Sequence, residues 1–266
     1  MIMSSFSSLL NRSYKYVVGI IGLQSDDIIL TSFPKSGNTW IRFFLCNLIS
    51  LQEWGGETVT FPKLDATMPE LGVSNLLRQW PHATIPRIVK THKSHWPVFQ
   101  GCRSILLVRD PRDVMVSYYN FETGKREERF DGSFSEFIRH PKFGIEAWCR
   151  HYISWRSNAS VLLTYENLKA NDVREFRRML GAIDVEVEQN LIERAAERSQ
   201  FENIKEVENN TGVRSDGDHF KEGNQFMRKG ESRQWAEYFS EKDIRYVSNL
   251  LSEHDIDKYD ISESGE

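Results

Sequence analysis

Four short apolar runs rich in β-branched residues punctuate this chain, and segments with apolar positions at helical spacing lie between them. Asp26–Phe33, Arg87–His92, Cys102–Arg109 and Ser160–Tyr165 carry Ile, Leu and Val at their centres, the pattern of strands buried on both faces. Trp40–Ile49, Arg112–Phe121, Phe134–Arg139, Ile145–Asn158, Asp172–Leu180, Val187–Arg198 and Glu241–Ser252 read as helices, several beginning after turn residues or an early Pro. Strands that alternate with helices predict an α/β fold: a central parallel sheet flanked by helices.

The rest of the pattern refines this picture. Gln52–Pro86 is punctuated by Gly and Pro and reads as loop, with Trp54 and Trp80 lending it apolar weight. Asn209–Lys221 is polar and Gly-bearing, and residues 205–232 are expected to form a mobile cap. Residues 1–24 contain a short apolar run, Tyr16–Leu23, too short to span a bilayer and followed by no small-x-small cleavage site. They read as an N-terminal helix or arm packed on the domain, with a membrane-associating arm as the alternative. No repeat or linker divides the 266 residues, so one domain is expected.

Composition narrows the function. A net charge of −4 argues against a general nucleic-acid binder. Cys46, Cys102 and Cys149 are odd in number and far apart, which disfavours a disulfide framework or a structural zinc site and points to a reducing compartment. No carboxylate cluster suggests a metal.

Ligands of parallel sheets sit at the carboxyl ends of the strands. Lys35, His92 and Arg109 each follow the end of a different predicted strand. The first of these ends is the most telling. After Asp26–Phe33, the residues Pro34-Lys35-Ser36-Gly37-Asn38-Thr39 make a tight loop before the helix at Trp40. That arrangement aims backbone N–H groups and a helix N-terminus at an anion. Lys35 adds a cation, Ser36 and Thr39 add hydroxyls, and Gly37 permits close approach. Lys, Ser and Gly alone would fit an ordinary strand-to-helix turn. The order is not that of a Walker A loop, because Lys precedes Gly and no second Gly opens the loop.

A second anion site is written into Arg109-Asp110-Pro111-Arg112-Asp113-Val114-Met115-Val116-Ser117. Arg109 supplies a forked donor at a strand end and Ser117 a hydroxyl two turns into the helix. Asp110, Arg112 and Asp113 can instead form a helix-start ion pair. A nucleotide with phosphates at both ends of its ribose would account for two such sites.

Phe33-Pro34-Lys35-Ser36-Gly37-Asn38-Thr39-Trp40 closely resembles the 5′-phosphosulfate loop of the cytosolic sulfotransferase family. The Arg109–Ser117 stretch resembles that family's 3′-phosphate motif, and Phe226-Met227-Arg228-Lys229-Gly230 resembles the element that closes over the same phosphate. Where the family continues Gly-Asp-Trp, this chain has Arg233-Gln234-Trp235. Three motifs in order from residue 33 to 235 cover most of the chain. The resemblance implies a cytoplasmic, P-loop-like enzyme that takes 3′-phosphoadenosine 5′-phosphosulfate (PAPS) as donor and releases 3′-phosphoadenosine 5′-phosphate (PAP). It implies that Lys35, Ser36, Gly37, Asn38, Thr39 and Trp40 hold the phosphosulfate, and that Arg109, Ser117, Phe226, Met227, Arg228, Lys229 and Gly230 serve the 3′-phosphate end. Tyr165 matches an adenine-contacting position, as do Ser199, Gln200 and Phe201, where Gln replaces a usual small hydroxyl residue. A place in the core is the competing reading for Tyr165 and Phe201.

Sulfuryl transfer needs a base, and His92 is the candidate among seven histidines: it alone combines a strand end with Lys90-Thr91-His92, wording similar to the family's catalytic histidine. His95 is its competitor. Lys35 would neutralise the leaving oxygen, Lys90 would stabilise the transferring group, and Ser117 would hold Lys35 back until an acceptor arrives. Phe121 matches an acceptor-lining position, and with Trp54 and Trp80 suggests an aromatic pocket for a small-molecule hydroxyl or amine. The family's dimerisation motif is not recognisable after Trp235, which leaves the oligomeric state open. The alternatives are a P-loop-type kinase and a non-catalytic nucleotide-binding relative.

Overall fold

In the computed structural model, which describes residues 14–126, 130–213, 220–221, 230 and 233–256, the four apolar runs become β1 (Ile28–Ser32), β2 (Ile88–Thr91), β3 (Arg103–Val108) and β4 (Val161–Thr164). They pair in parallel in the order β2-β1-β3-β4. Leu30 sits between Lys90 and Ile105, and Leu106 pairs with Leu162. The carboxyl ends of all four strands therefore emerge on one edge of the sheet.

The helices are α1 (residues 14–21), α2 (Asn38–Glu53), α3 (Phe61–Thr67), α4 (Pro111–Thr123), α5 (Phe134–Arg139), α6 (Ile145–Arg156), α7 (Tyr165–Ala170), α8 (Asp172–Ala182), α9 (Gln189–Arg198), α10 (Phe201–Thr211) and α11 (Glu241–Glu253). Parallel neighbours need crossovers: α2 and α3 lie on the one from β1 to β2, and α4 to α6 on the one from β3 to β4. Successive strand residues point to opposite faces. Leu30, Ile105, Leu107 and Leu163 pack with residues of α2, α8 and α9. Ile29, Leu106 and Val108 pack with residues of α4, α6 and α11. With both faces covered, continuous apolar strands are what the sheet requires.

The structure adds helices that the pattern of the chain did not predict. Within Gln52–Pro86, α3 forms because the Thr60 side chain accepts from Lys63 N and Pro62 sits in the first turn, where its missing N–H costs nothing. α7 begins at Tyr165, capped by the Thr164 hydroxyl. α10 occupies Phe201–Thr211, so the start of the expected cap is regular helix. Residues 214–219, 222–229 and 231–232 of that cap lie outside the described residues, as do residues 1–13 of the expected arm.

The amino ends of the strands carry a buried clamp. Arg87 donates through Nε and Nη2 to both carboxylate oxygens of Asp27, at 2.6 and 2.7 Å. It also donates to the carbonyls of Gly22 and Leu76, each at 2.6 Å. One guanidinium thus ties the chain after α1, the start of β1 and the 71–77 segment together. No helix among the described residues is long and apolar enough to cross a membrane.

Candidate active site

The loop after β1 is shaped by two left-handed residues, Lys35 at φ 68° and Gly37 at φ 103°. Gly37 is doubly constrained: a Cβ there would stand 2.7 Å from the Tyr165 ring. Asn38 Nδ2 donates to Ser32 Oγ at 3.2 Å and ties the start of α2 back to the end of β1. The buried donors Ser36 Oγ and Trp40 Nε1 have no hydrogen-bond partner in this structure. Buried donors normally find one, so this loop has donor capacity held for a ligand.

Trp40 meets the Tyr165 ring edge-on at 5.8 Å. The Arg109 guanidinium lies 4.3 Å from the centroid of the same ring, and 3.9 Å from the Asp113 carboxylate. Burial pushes the Asp113 carboxyl up while Arg109 opposes it. Asp110 caps α4 and pairs with Arg112, as a helix-start ion pair should. Asp113 instead accepts from Arg233 N at 2.8 Å. Gly230, at φ 66°, brings its carbonyl to Tyr165 Oη and Lys169 Nζ, each at 3.0 Å. A Cβ at this position would clash with the Phe201 ring at 2.5 Å. Tyr165, Phe201 and Gly230, far apart in sequence, therefore form one platform beside the loop and Arg109. Phe226, Met227, Arg228 and Lys229 lie outside the described residues.

Ser199 does not present its hydroxyl to this platform. Its Oγ donates to the carbonyls of Ala195 and Ala196 inside its own helix, and the residue is wholly buried. Gln200 is exposed at the start of α10, and Thr39 is half-buried in the first turn of α2. Ser117 is half-buried on α4 between Arg109 and Phe121.

His92 Nδ1 lies 2.7 Å from the carbonyl of Ser32, the last residue of β1. Burial lowers its pKa to about 3, with Lys90, Arg42 and Lys35 acting in the same direction and the Ser32 carbonyl against them. Lys90 does not project freely. Its ammonium is paired with Glu70 at 2.9 Å, and burial lowers its pKa while Glu70 raises it. Lys35 Nζ stands 4.3 Å from the centroid of the Phe121 ring, and Lys125 Nζ 3.8 Å from the same centroid.

His95 is placed differently from His92. It stacks edge-on against Trp155 at 4.8 Å, and its backbone N–H donates to Ser154 Oγ. Trp54 and Trp80 also sit away from the loop. They gather at the carboxyl end of α2, whose 16 residues span about 24 Å from the loop. Both rings pack on His82, and Trp80 Nε1 donates to the Ile85 carbonyl. The pattern of the chain gave no sign of Glu70, which pairs with Lys90 from a loop, or of His151 as a neighbour. His151 is buried on α6, its Nε2 3.2 Å from Thr31 Oγ1, and burial and His92 lower its pKa to about 3.

The sulfotransferase domain family matches residues 25–257 of the chain. The protein belongs to the sulfotransferase family. Sulfotransferase 1B1 of Canis lupus familiaris is 30% identical over 241 residues, covering 81% of this chain and 78% of that one. Sulfotransferase 1B1 of Mus musculus is 30% identical over 238 residues, covering 80% and 77%. Mouse sulfotransferase SULT7A1 complexed with PAP superposes with a TM-score of 0.65 at 20% identity, over 90% of this chain and 88% of that one. Retinol dehydratase in complex with androsterone and inactive cofactor PAP gives 0.70 at 16% identity, over 97% and 87%. This sulfotransferase, an enzyme of sulfuryl transfer, thus shares a fold with proteins solved bound to PAP. Its loop, Arg109 and the Tyr165 platform stand at one edge of one sheet.

Proposed function

We propose that the enzyme transfers a sulfuryl group from PAPS to a hydroxyl or amine of a small-molecule acceptor, with His92 as general base. The observation that carries this reading is the His92–Ser32 hydrogen bond. A carbonyl only accepts, so Nδ1 carries the proton and Nε2 keeps its lone pair for the acceptor's proton. Lys35 lies in the adjacent loop, where it would stabilise negative charge on the leaving oxygen.

The donor supplies the sulfuryl group and leaves as PAP. Ser36, Gly37, Asn38, Thr39 and Trp40 would hold its 5′ end, a role supported by the unsatisfied Ser36 and Trp40 donors. Arg109, Ser117 and Gly230 would hold the 3′-phosphate, and Tyr165 with Phe201 the adenine. Lys90, held by Glu70, would set the field around His92 and contact the transferring group after exchanging partners. Phe121, beneath Lys35, would line the acceptor site. The unpaired thiols of Cys46, Cys102 and Cys149 support a cytoplasmic setting.

Calorimetric titration with PAP, against ATP plus magnesium, tests the reading. Tight metal-independent binding of PAP is expected. A preference for ATP with magnesium would overturn it in favour of a kinase.

A further inference from the structure

The large hydrophobic side chains left exposed on this protein do not scatter over its surface. Among the described residues they are Tyr14, Val17, Ile21, Val73, Leu77 and Trp96, exposed by 67%, 53%, 68%, 59%, 60% and 36%. Single exposed apolar residues are ordinary, but a contiguous group marks a contact surface. Five of the six lie on α1 and on the 71–77 segment that packs against it, and Trp96 stands beside them. Tyr14, Val17 and Ile21 recur at spacings of three and four along α1 and share one side of it. The other side of α1 is pressed onto the 71–77 segment: Tyr16 covers Gly72, Gly19 faces Leu71, and Gly22 meets the backbone of Leu76 and Leu77. Trp96 joins the group by stacking on Tyr16 with centroids 6.3 Å apart and planes 10° apart.

α1 is thus apolar on its inner and its outer side, although its outer side faces water. Lys15 follows Tyr14 and Arg78 follows Leu77 in the chain, while the exposed Asp26 lies five residues beyond Ile21. Lys15, Arg78 and Lys93 are exposed, and Lys93 Nζ lies 5.7 Å from the Tyr16 ring. They stand against the sign of the whole chain, whose net charge is −4. Lys93 also directly follows His92, so this face borders the active-site edge of the sheet.

We propose that this face docks peripherally on a lipid bilayer bearing anionic headgroups. Tyr14, Val17, Ile21 and Leu77 would enter the headgroup–acyl boundary, and Lys15, Arg78 and Lys93 would meet the anionic lipid. A second copy of the chain fits the face less well. A two-fold pairing would bring the same three cations towards their own counterparts. The inference stands apart from the identity of the acceptor.

The full-length protein, with and without Val17→Asp/Ile21→Asp, should be sedimented with phosphatidylcholine vesicles and with phosphatidylcholine–phosphatidylserine vesicles. PAP titration serves as the check on folding. The wild type is expected to bind the phosphatidylserine vesicles and to release them at high salt, and the double variant to lose that binding with PAP affinity intact. Should the double variant misfold, Lys15→Glu and Arg78→Glu decide the matter, each weakening vesicle binding about fivefold or more. No vesicle binding by the wild type overturns the proposal, and so does full binding by the variants. A concentration-dependent dimer in sedimentation velocity that the same substitutions dissociate would instead assign the face to a second copy.

Discussion

His92 and Ser32 are joined across neighbouring strands by a 2.7 Å hydrogen bond from the ring Nδ1 to the main-chain carbonyl. The bond fixes one tautomer, and burial with three nearby cations keeps the ring neutral, its pKa near 3. An imidazole in that state keeps Nε2 unprotonated across about pH 5–8. The kcat/KM profile is therefore expected to lack a limb near the ordinary histidine pKa. His92→Ala should lower kcat by about two to four powers of ten and leave PAP affinity unchanged. An acid limb near pH 6.5 that vanishes in His92→Ala would keep His92 as the base but contradict its depressed pKa, and undiminished kcat in that variant would remove it from the role.

The same depression makes stability pH-dependent. His92 and His151 both titrate near 3 when folded, against about 6.5 when unfolded. Below that unfolded value the unfolded chain binds protons that the folded chain refuses, so acid favours unfolding. The two rings' contribution is full above about pH 6.5 and is lost as pH falls towards 3. The urea midpoint should hold steady from pH 8 to 7 and begin to fall below about 6.5. His151→Gln should lessen that slope, and an unchanged slope would remove His151 from the account.

Gly37 combines a positive φ with contact against Tyr165. Gly37→Ala pays a left-handed penalty of about 1–2 kcal/mol and forces either the loop or the ring to move. Thermal melting is expected to fall and PAP affinity to fall with it. Tyr165→Leu in the same background relieves the clash, and should recover part of the melting temperature without restoring affinity.

At the other end of the sheet, Arg87→Ala leaves Asp27 buried without its bidentate partner. Breaking such a pair costs about 3–5 kcal/mol. Denaturant unfolding should register that loss, whereas PAP affinity of the folded fraction should match wild type.

Arg109 is expected to discriminate the 3′-phosphate. Arg109→Ala should weaken PAP by about tenfold to a hundredfold, the worth of a charge-assisted hydrogen bond, and leave adenosine 5′-phosphosulfate nearly unaffected. If the wild type binds the two ligands equally, Arg109 has another role.

The gathering of Lys35, His92 and Arg109 at one edge of the sheet was legible because these residues lie where local pattern is strong. Lys35, His92 and Arg109 follow apolar strands, and a parallel sheet brings strand ends together. The range Phe134–Arg139 was readable to the residue, since Ser133 and Glu136 form a capping box. Pattern failed where the answer depended on distant packing. Trp54 and Trp80 look like any loop aromatics; only the length of α2 carries them away from the loop. Ser199 has a plausible donor, but its hydroxyl is spent on Ala195 and Ala196. α3 was hidden by Pro62, a residue that punctuates loops and also starts helices. Glu70 meets Lys90 only because the 69–71 segment runs beside the edge of β2, which no local signal announces.

The helix α4 carries Arg109 and Asp110 at its base and Phe121 in its final turn. One helix thus sets the spacing between Arg109, proposed for the donor, and Phe121, proposed for the acceptor. A residue inserted between them would swing Phe121 about 100° around the axis and away from Lys35. Point replacement within that last turn leaves the spacing intact. With Phe121 at the acceptor as proposed, a change of side chain at 121 would alter the pocket and keep the spacing, whereas a longer or shorter α4 would lose it.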